Sequence, residues 1–95
     1  MAYDPGALDA ALSAAIGDDP GLVAELRAAF LDGAATHVDA LGRARLATEW
    51  TQAAWRLRGL AASFGAIALM EAADAAADAA PGDRHALAAV RDAIG

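Results

Sequence analysis

Apolar positions recur along this chain at helical spacing, and short runs of Asp, Gly and Pro divide them into segments. Asp4-Pro5-Gly6 breaks the chain first, and Leu8, Leu12 and Ile16 then stand at i, i+4 and i+8. That spacing predicts a short helix from about Ala7 to Ile16, with Gly17 suited to its C-terminal cap. Asp19 is the expected N-cap of the next helix and Pro20 fits its first position. The stripe Val23, Leu26, Phe30, Ala34, His37, Val38 and Leu41 carries this helix to about Ala44, weakened but not broken by Gly33 and Gly42. After the connection Arg45 to Ala47, Thr48 is the expected N-cap of a third helix running to about Phe64. Gly65 ends it, a fourth helix runs from Ala66 to about Ala79, and Pro81-Gly82 is the last break. Asp83 then caps a final helix with Leu87, Val90 and Ile94 on one face.

The β-branched residues are sparse and nowhere alternate as a strand would require. The fold class is therefore all-α. Short connections make neighbours antiparallel, which gives an up-down four-helix bundle with the short N-terminal helix as a lid. The 95 residues suffice for one domain, 1–95, in which every element shares one core. The alanine-rich stretch from Ala72 to Ala80 carries Asp74 and Asp78 at i, i+4 and is expected to let a neighbouring helix approach closely.

Composition narrows the chemistry. There is no cysteine, which excludes a disulfide scaffold, an iron–sulfur site and a thiol nucleophile. Charges interrupt every apolar run before it reaches membrane-spanning length, and the opening Met1-Ala2-Tyr3-Asp4-Pro5 lacks the basic region of a signal peptide. A cytoplasmic location and no membrane contact are expected. The net charge is −6 and every cation is an arginine, which argues against general nucleic-acid binding. The charge is uneven. Arg43, Arg45, Arg56 and Arg58 face only Glu49 within the segment they bound, so that segment is +3 and the remainder −9. A basic spot on an acidic protein steers one acidic partner site and repels polyanions at large.

The third helix holds most of the information. Trp50, Ala53, Leu57, Leu60 and Phe64 are spaced 3, 4, 3 and 4 apart and form its expected core face. At roughly 100° per residue, Trp55 lies about 160° from Leu57 and about 140° from Leu60, on the opposite side. Gly59 and Ala62 follow it along the same stripe, Ser63 lies close by, and Arg56 and Arg58 flank the stripe. A mid-helix glycine costs about 1 kcal/mol relative to alanine, and beside a large side chain it clears room for another molecule. Trp and Arg are frequent interface anchors. Two readings of Trp55 follow: a partner anchor, or a packing residue folded onto the boundary with a neighbouring helix.

The run Ala54-Trp55-Arg56-Leu57-Arg58-Gly59, with a second glycine at Gly65, resembles the third-helix pattern of histidine-containing phosphotransfer (HPt) domains. In that family the run reads Ala-His-x-Leu-Lys-Gly, with a further glycine after five residues. Asp19-Pro20-Gly21-Leu22-Val23 leading to Phe30-Leu31 is similar to the family's second-helix opening, so the resemblance spans nearly the whole chain. It implies phosphorelay signalling, with a response-regulator receiver domain or a histidine kinase as partner. It also implies a basic residue that neutralises phosphate and a glycine that admits the receiver, in keeping with a reaction governed by positioning and charge. Two positions depart: Trp55 stands for the histidine and Arg58 for the usual lysine.

The indole nitrogen is a donor only and cannot attack phosphoaspartate. The expectation is a non-catalytic, pseudo-HPt protein that docks through Trp55, Arg56, Arg58, Gly59, Ala62 and Ser63. It is expected to be a monomer rather than a dimer, without cofactor or metal. Two alternatives stand beside it: phosphotransfer through another acceptor, His37, and a structural module in which Trp55 anchors a dimer. His37 lies within the apolar stripe of its helix, where histidines are usually hydrogen-bonded boundary residues. His85 falls in the first turn of the last helix, and no metal-ligand spacing joins the two.

Overall fold

The computed structural model describes positions 12, 14, 17 and 19–94. The described residues form four helices: α1 (Pro20–Arg43), α2 (Ala47–Phe64), α3 (Ile67–Asp78) and α4 (Arg84–Ile94). The described residues contain no strand. Apart from Leu12 and Ala14, both helical, the expected Ala7–Ile16 lid lies outside the described residues. Leu12 is buried with the core.

Local chemistry sets each boundary. The Asp19 carboxylate accepts from the Leu22 N–H at 3.0 Å while Pro20 opens α1, so one orphan donor is capped and another is never present. Asp83 does the same for α4, accepting from the Ala86 N–H at 2.9 Å. At the end of α2, Gly65 adopts φ 69°. Its N–H donates to the Ala62 carbonyl at 3.3 Å, and that of Ala66 donates to the Ala61 carbonyl at 2.8 Å. This pair of bonds is a Schellman motif, and the left-handed residue it needs is the glycine.

The start of α2 differs from expectation. Leu46, not Thr48, is the N-cap residue, with φ −108° and ψ 150°, and the helix begins at Ala47. The Glu49 carboxylate reaches back to accept from the backbone N–H groups of Arg45 and Leu46, each at 3.0 Å. A glutamate in the first turn thus organises this terminus from inside the helix, and Thr48 is left in the first turn as an exposed residue. The backbone N–H groups of both connection residues pull that carboxyl below the ordinary glutamate range, Arg45 contributing most and Leu46 next.

Each helix packs on its neighbours in the chain, and α4 returns to α1. The largest fully buried side chains are Trp50, Phe30, Leu41, Leu57, Leu69 and Val90, and no charged or polar residue is buried among the described residues. The Trp50 indole donates to the Ala76 carbonyl at 2.7 Å, fastening α2 to α3. Phe30 and Phe64 bring their rings to 5.1 Å between α1 and α2. The core face of α2 is wider than expected. Ala54 and Ala61 are fully buried along with Trp50, Ala53 and Leu57, whereas Leu60 and Phe64 are only half-buried. The reason is that α2 has two neighbours. Ala54 and Ala61 fall within about 40° of Trp50 on the wheel, on the side that meets α3, while Leu60 and Phe64 touch Gly33 and Phe30 of α1.

Candidate functional site

With α1 and α3 covering two flanks of α2, the third flank stays open. Along it stand Trp55, Gly59, Ala62 and Ser63, all exposed. Trp55 is 63% exposed, which excludes the packing reading. Ser63 donates its hydroxyl to the Gly59 carbonyl at 2.9 Å, one turn back, which ties the side chain to the helix surface.

The glycines separate into two kinds. A Cβ on Gly33 would come within 3.2 Å of the Leu60 side chain, and one on Gly42 within 3.3 Å of the Arg91 guanidinium. Those two allow α1 to be approached closely by α2 and α4. A Cβ on Gly59 would meet nothing within 4 Å. Gly59 has helical rather than left-handed backbone, lies in the interior of α2, and no packing within the described residues calls for its small size.

The arginines also separate. Arg58 forms an ion pair with Asp74 of α3, and Arg43 with Asp39 on its own helix. Arg45 and Arg56 are exposed and form no ion pair among the described residues. Of the cations flanking the Trp55 stripe, Arg56 is thus the unengaged one and Arg58 is held toward α3.

His37 is half-buried on α1 and makes no side-chain hydrogen bond among the described residues. His85 is exposed at the start of α4. No group of three or more His, Cys, Asp or Glu among the described residues could hold a metal ion. None of the described helices is long and apolar enough to cross a membrane.

The sequence reading missed three residues near the start of α2. Leu46 is 62% exposed at the start of α2. Thr51 and Gln52 line a shallow groove of about 330 Å³ beside Trp55. A leucine that follows Arg45 at the end of a three-residue connection is a signal that could have found the first. The groove depends on how the two turns of α2 before Trp55 lie relative to solvent, which spacing alone does not give. No family profile, no curated protein and no solved structure matches this chain.

Proposed function

We propose that this chain is a pseudo-HPt protein of a bacterial-type phosphorelay. It is an antiparallel up-down four-helix bundle that docks a response-regulator receiver domain or a histidine kinase through the open face of α2 and accepts no phosphoryl group at position 55. The observation that carries the reading is Gly59: an interior helical glycine with open space around it, one turn beyond an exposed tryptophan. The helix would be more stable with alanine there, so the absence of a side chain serves something that approaches from outside. Trp55 supplies the large apolar anchor, Arg56 an unengaged charge, and Ala62 and Ser63 the low surface beyond. An indole offers no lone pair for attack on phosphorus, so the face retains what docking needs and lacks the nucleophile. The protein acts as a cytoplasmic monomer that sequesters or modulates its partner.

The test is a calorimetric titration of the chain against the receiver domains and kinases of its source cell. Saturable binding that is lost in Trp55→Ala supports the proposal. Binding indifferent to Trp55→Ala, or no binding to any receiver or kinase, refutes it. Incubation with a labelled phosphorylated receiver tests the non-catalytic part: acid-labile label that disappears in His37→Ala would assign transfer to His37 instead.

A further inference from the structure

A groove of about 370 Å³ runs between α3 and α4, lined by Ala68, Glu71, Ala72, Ala89, Asp92 and Ala93. Its apolar surface is alanine alone, set at i, i+4 on each helix, so no side chain of the protein fills it. Glu71 and Asp92 are exposed, and neither forms a hydrogen bond or ion pair among the described residues. No cation lines the groove. Arg91, beside Asp92 in the chain, lies against Gly42 of α1 instead. Arg84, the other arginine of α4, precedes Asp92 by eight residues, about 12 Å of helix. On α3 there are three acids and no cation, and only Asp74 is engaged, by Arg58 of α2. Asp92 also stands in the last turn of α4, where the helix dipole favours a cation. Its charge opposes the helix that carries it, and no described side chain pairs with it. Ile67, one turn before Glu71 and about 40° from it on the wheel, extends the α3 rim with a large apolar side chain that is 56% exposed.

We infer that this groove docks a basic amphipathic helix of a partner protein. Arginines of that helix reach Glu71 and Asp92, and its apolar face lies on the alanines and against Ile67. The inference does not rest on the relay reading, and its surface is built by α3 and α4 rather than by the open face of α2. Charge complementarity selects the occupant: two unengaged carboxylates and no cation line the groove, on a chain of net charge −6. A helix suits the floor, because alanine lets a third helix axis come close to both neighbours. Arginine suits the rim, because its planar fork matches a carboxylate. A second copy of the chain fits poorly, since a two-fold contact here would set the carboxylates of the two copies against one another. Nucleic acid and anionic membranes are repelled by the same charges.

The probe is a synthetic alanine-based helical peptide with arginines and one leucine along a single face. Its control has the same composition with those residues scattered around the helix. Calorimetry against the full chain measures affinity, and amide chemical shifts locate the contact. Saturable one-to-one binding is expected, with shifts centred on positions 68–72 and 89–93. It should weaken by at least about tenfold for the scattered peptide, for Glu71→Gln/Asp92→Asn and for Ala89→Gln. Position 89 is exposed, and glutamine is a good helix former, so Ala89→Gln obstructs the groove without unsettling α4. Glu25→Gln/Asp32→Asn removes the same charge from exposed positions on α1 and should leave the affinity unchanged. Trp55→Ala should also leave it unchanged. No saturable binding, equal binding of the scattered peptide, affinity indifferent to Glu71→Gln/Asp92→Asn, or an equal loss in Glu25→Gln/Asp32→Asn would each overturn the inference. So would shifts centred on the open face of α2, or a loss in Trp55→Ala, because either places the peptide on the wrong surface.

Discussion

Gly59→Ala perturbs α2 at the position where the structure finds no internal use for a glycine. Alanine in a helix interior is favoured over glycine by about 0.8–1.0 kcal/mol, in large part because it narrows the unfolded chain's choices by about 0.4–1 kcal/mol. The penalty that often cancels such a gain is steric, and here the new methyl meets nothing within 4 Å. The expected result is stabilisation by about 0.5–1 kcal/mol. For a chain of this size that is a rise in Tm of roughly 3–8 °C, read by thermal and urea unfolding with far-ultraviolet circular dichroism. Gly33→Ala is the control. Its methyl would sit 3.2 Å from the Leu60 side chain, so its gain in propensity is offset by crowding. If Gly59→Ala is neutral or destabilising, or if Gly33→Ala stabilises as much, the distinction between the two glycines is wrong. Gly59→Gln adds the functional arm. It also favours the helix but sets a long side chain beside Trp55, so receiver binding should fall by at least about tenfold while stability rises. Undiminished binding would show that nothing approaches at Gly59.

Trp50→Phe removes the donor to the Ala76 carbonyl, which keeps the Ala79 N–H at 3.1 Å as a partner. A lost buried hydrogen bond of about 1 kcal/mol and a cavity of a few tens of Å³, adding roughly 1 kcal/mol, predict a loss of about 2 kcal/mol in urea unfolding, and a loss below about 0.5 kcal/mol would refute the bond's role. Glu49 has its folded-state pKa lowered by the backbone N–H groups of Arg45 and Leu46. Its contribution is therefore complete above the ordinary glutamate range and is lost as pH falls through that range and then through the lowered value; Glu49→Gln should flatten the acid side of the Tm–pH curve, and identical acid limbs for both proteins would count against it. Asp74→Ala releases Arg58 from an exposed pair worth at most about 1 kcal/mol, so stability should hardly change while receiver binding tightens; weaker binding would mean that Asp74 itself touches the partner.

The helix ends were legible where one side chain decides them. Asp19, Gly65 and Asp83 act locally, and local signals survive in sequence. The start of α2 was not, because Glu49 competes with Thr48 for control of that terminus and wins by reaching two backbone donors at once. The core face of α2 is wider than its large residues alone indicate. Ala54 and Ala61 are buried because they are small enough to let α3 come close, which is a property of the pair of helices and not of one stripe. Trp55 was legible as outward-facing, since both flanks of its helix carry other stripes. The ion pair between Arg58 and Asp74 was not, because it joins two helices whose rotation the sequence does not specify.

Trp55→His carries the proposed loss of chemistry to its sharpest test. In this variant a neutral imidazole would stand on an open helix face, with Gly59 clear beside it and Arg56 unengaged. Attack of its unprotonated nitrogen on the phosphorus of a receiver phosphoaspartate would form the N–P bond and break the P–O bond to the aspartate, which leaves as carboxylate; the imidazole then sheds its proton to solvent. If the departure from the family pattern is confined to position 55, Trp55→His becomes acid-labile phosphorylated in the presence of a labelled phosphorylated receiver while the native chain stays unlabelled. If Trp55→His binds the receiver and takes no label, the deficit lies beyond the nucleophile. The pairing of Arg58 with Asp74 is then the first candidate, because it turns the matching basic residue toward α3 and away from the incoming phosphoryl oxygens. Adding Asp74→Ala to Trp55→His distinguishes the cases: label gained only in the double variant assigns the second lock to Asp74, and none in either means that a histidine at this position is not enough to make the face transfer-competent.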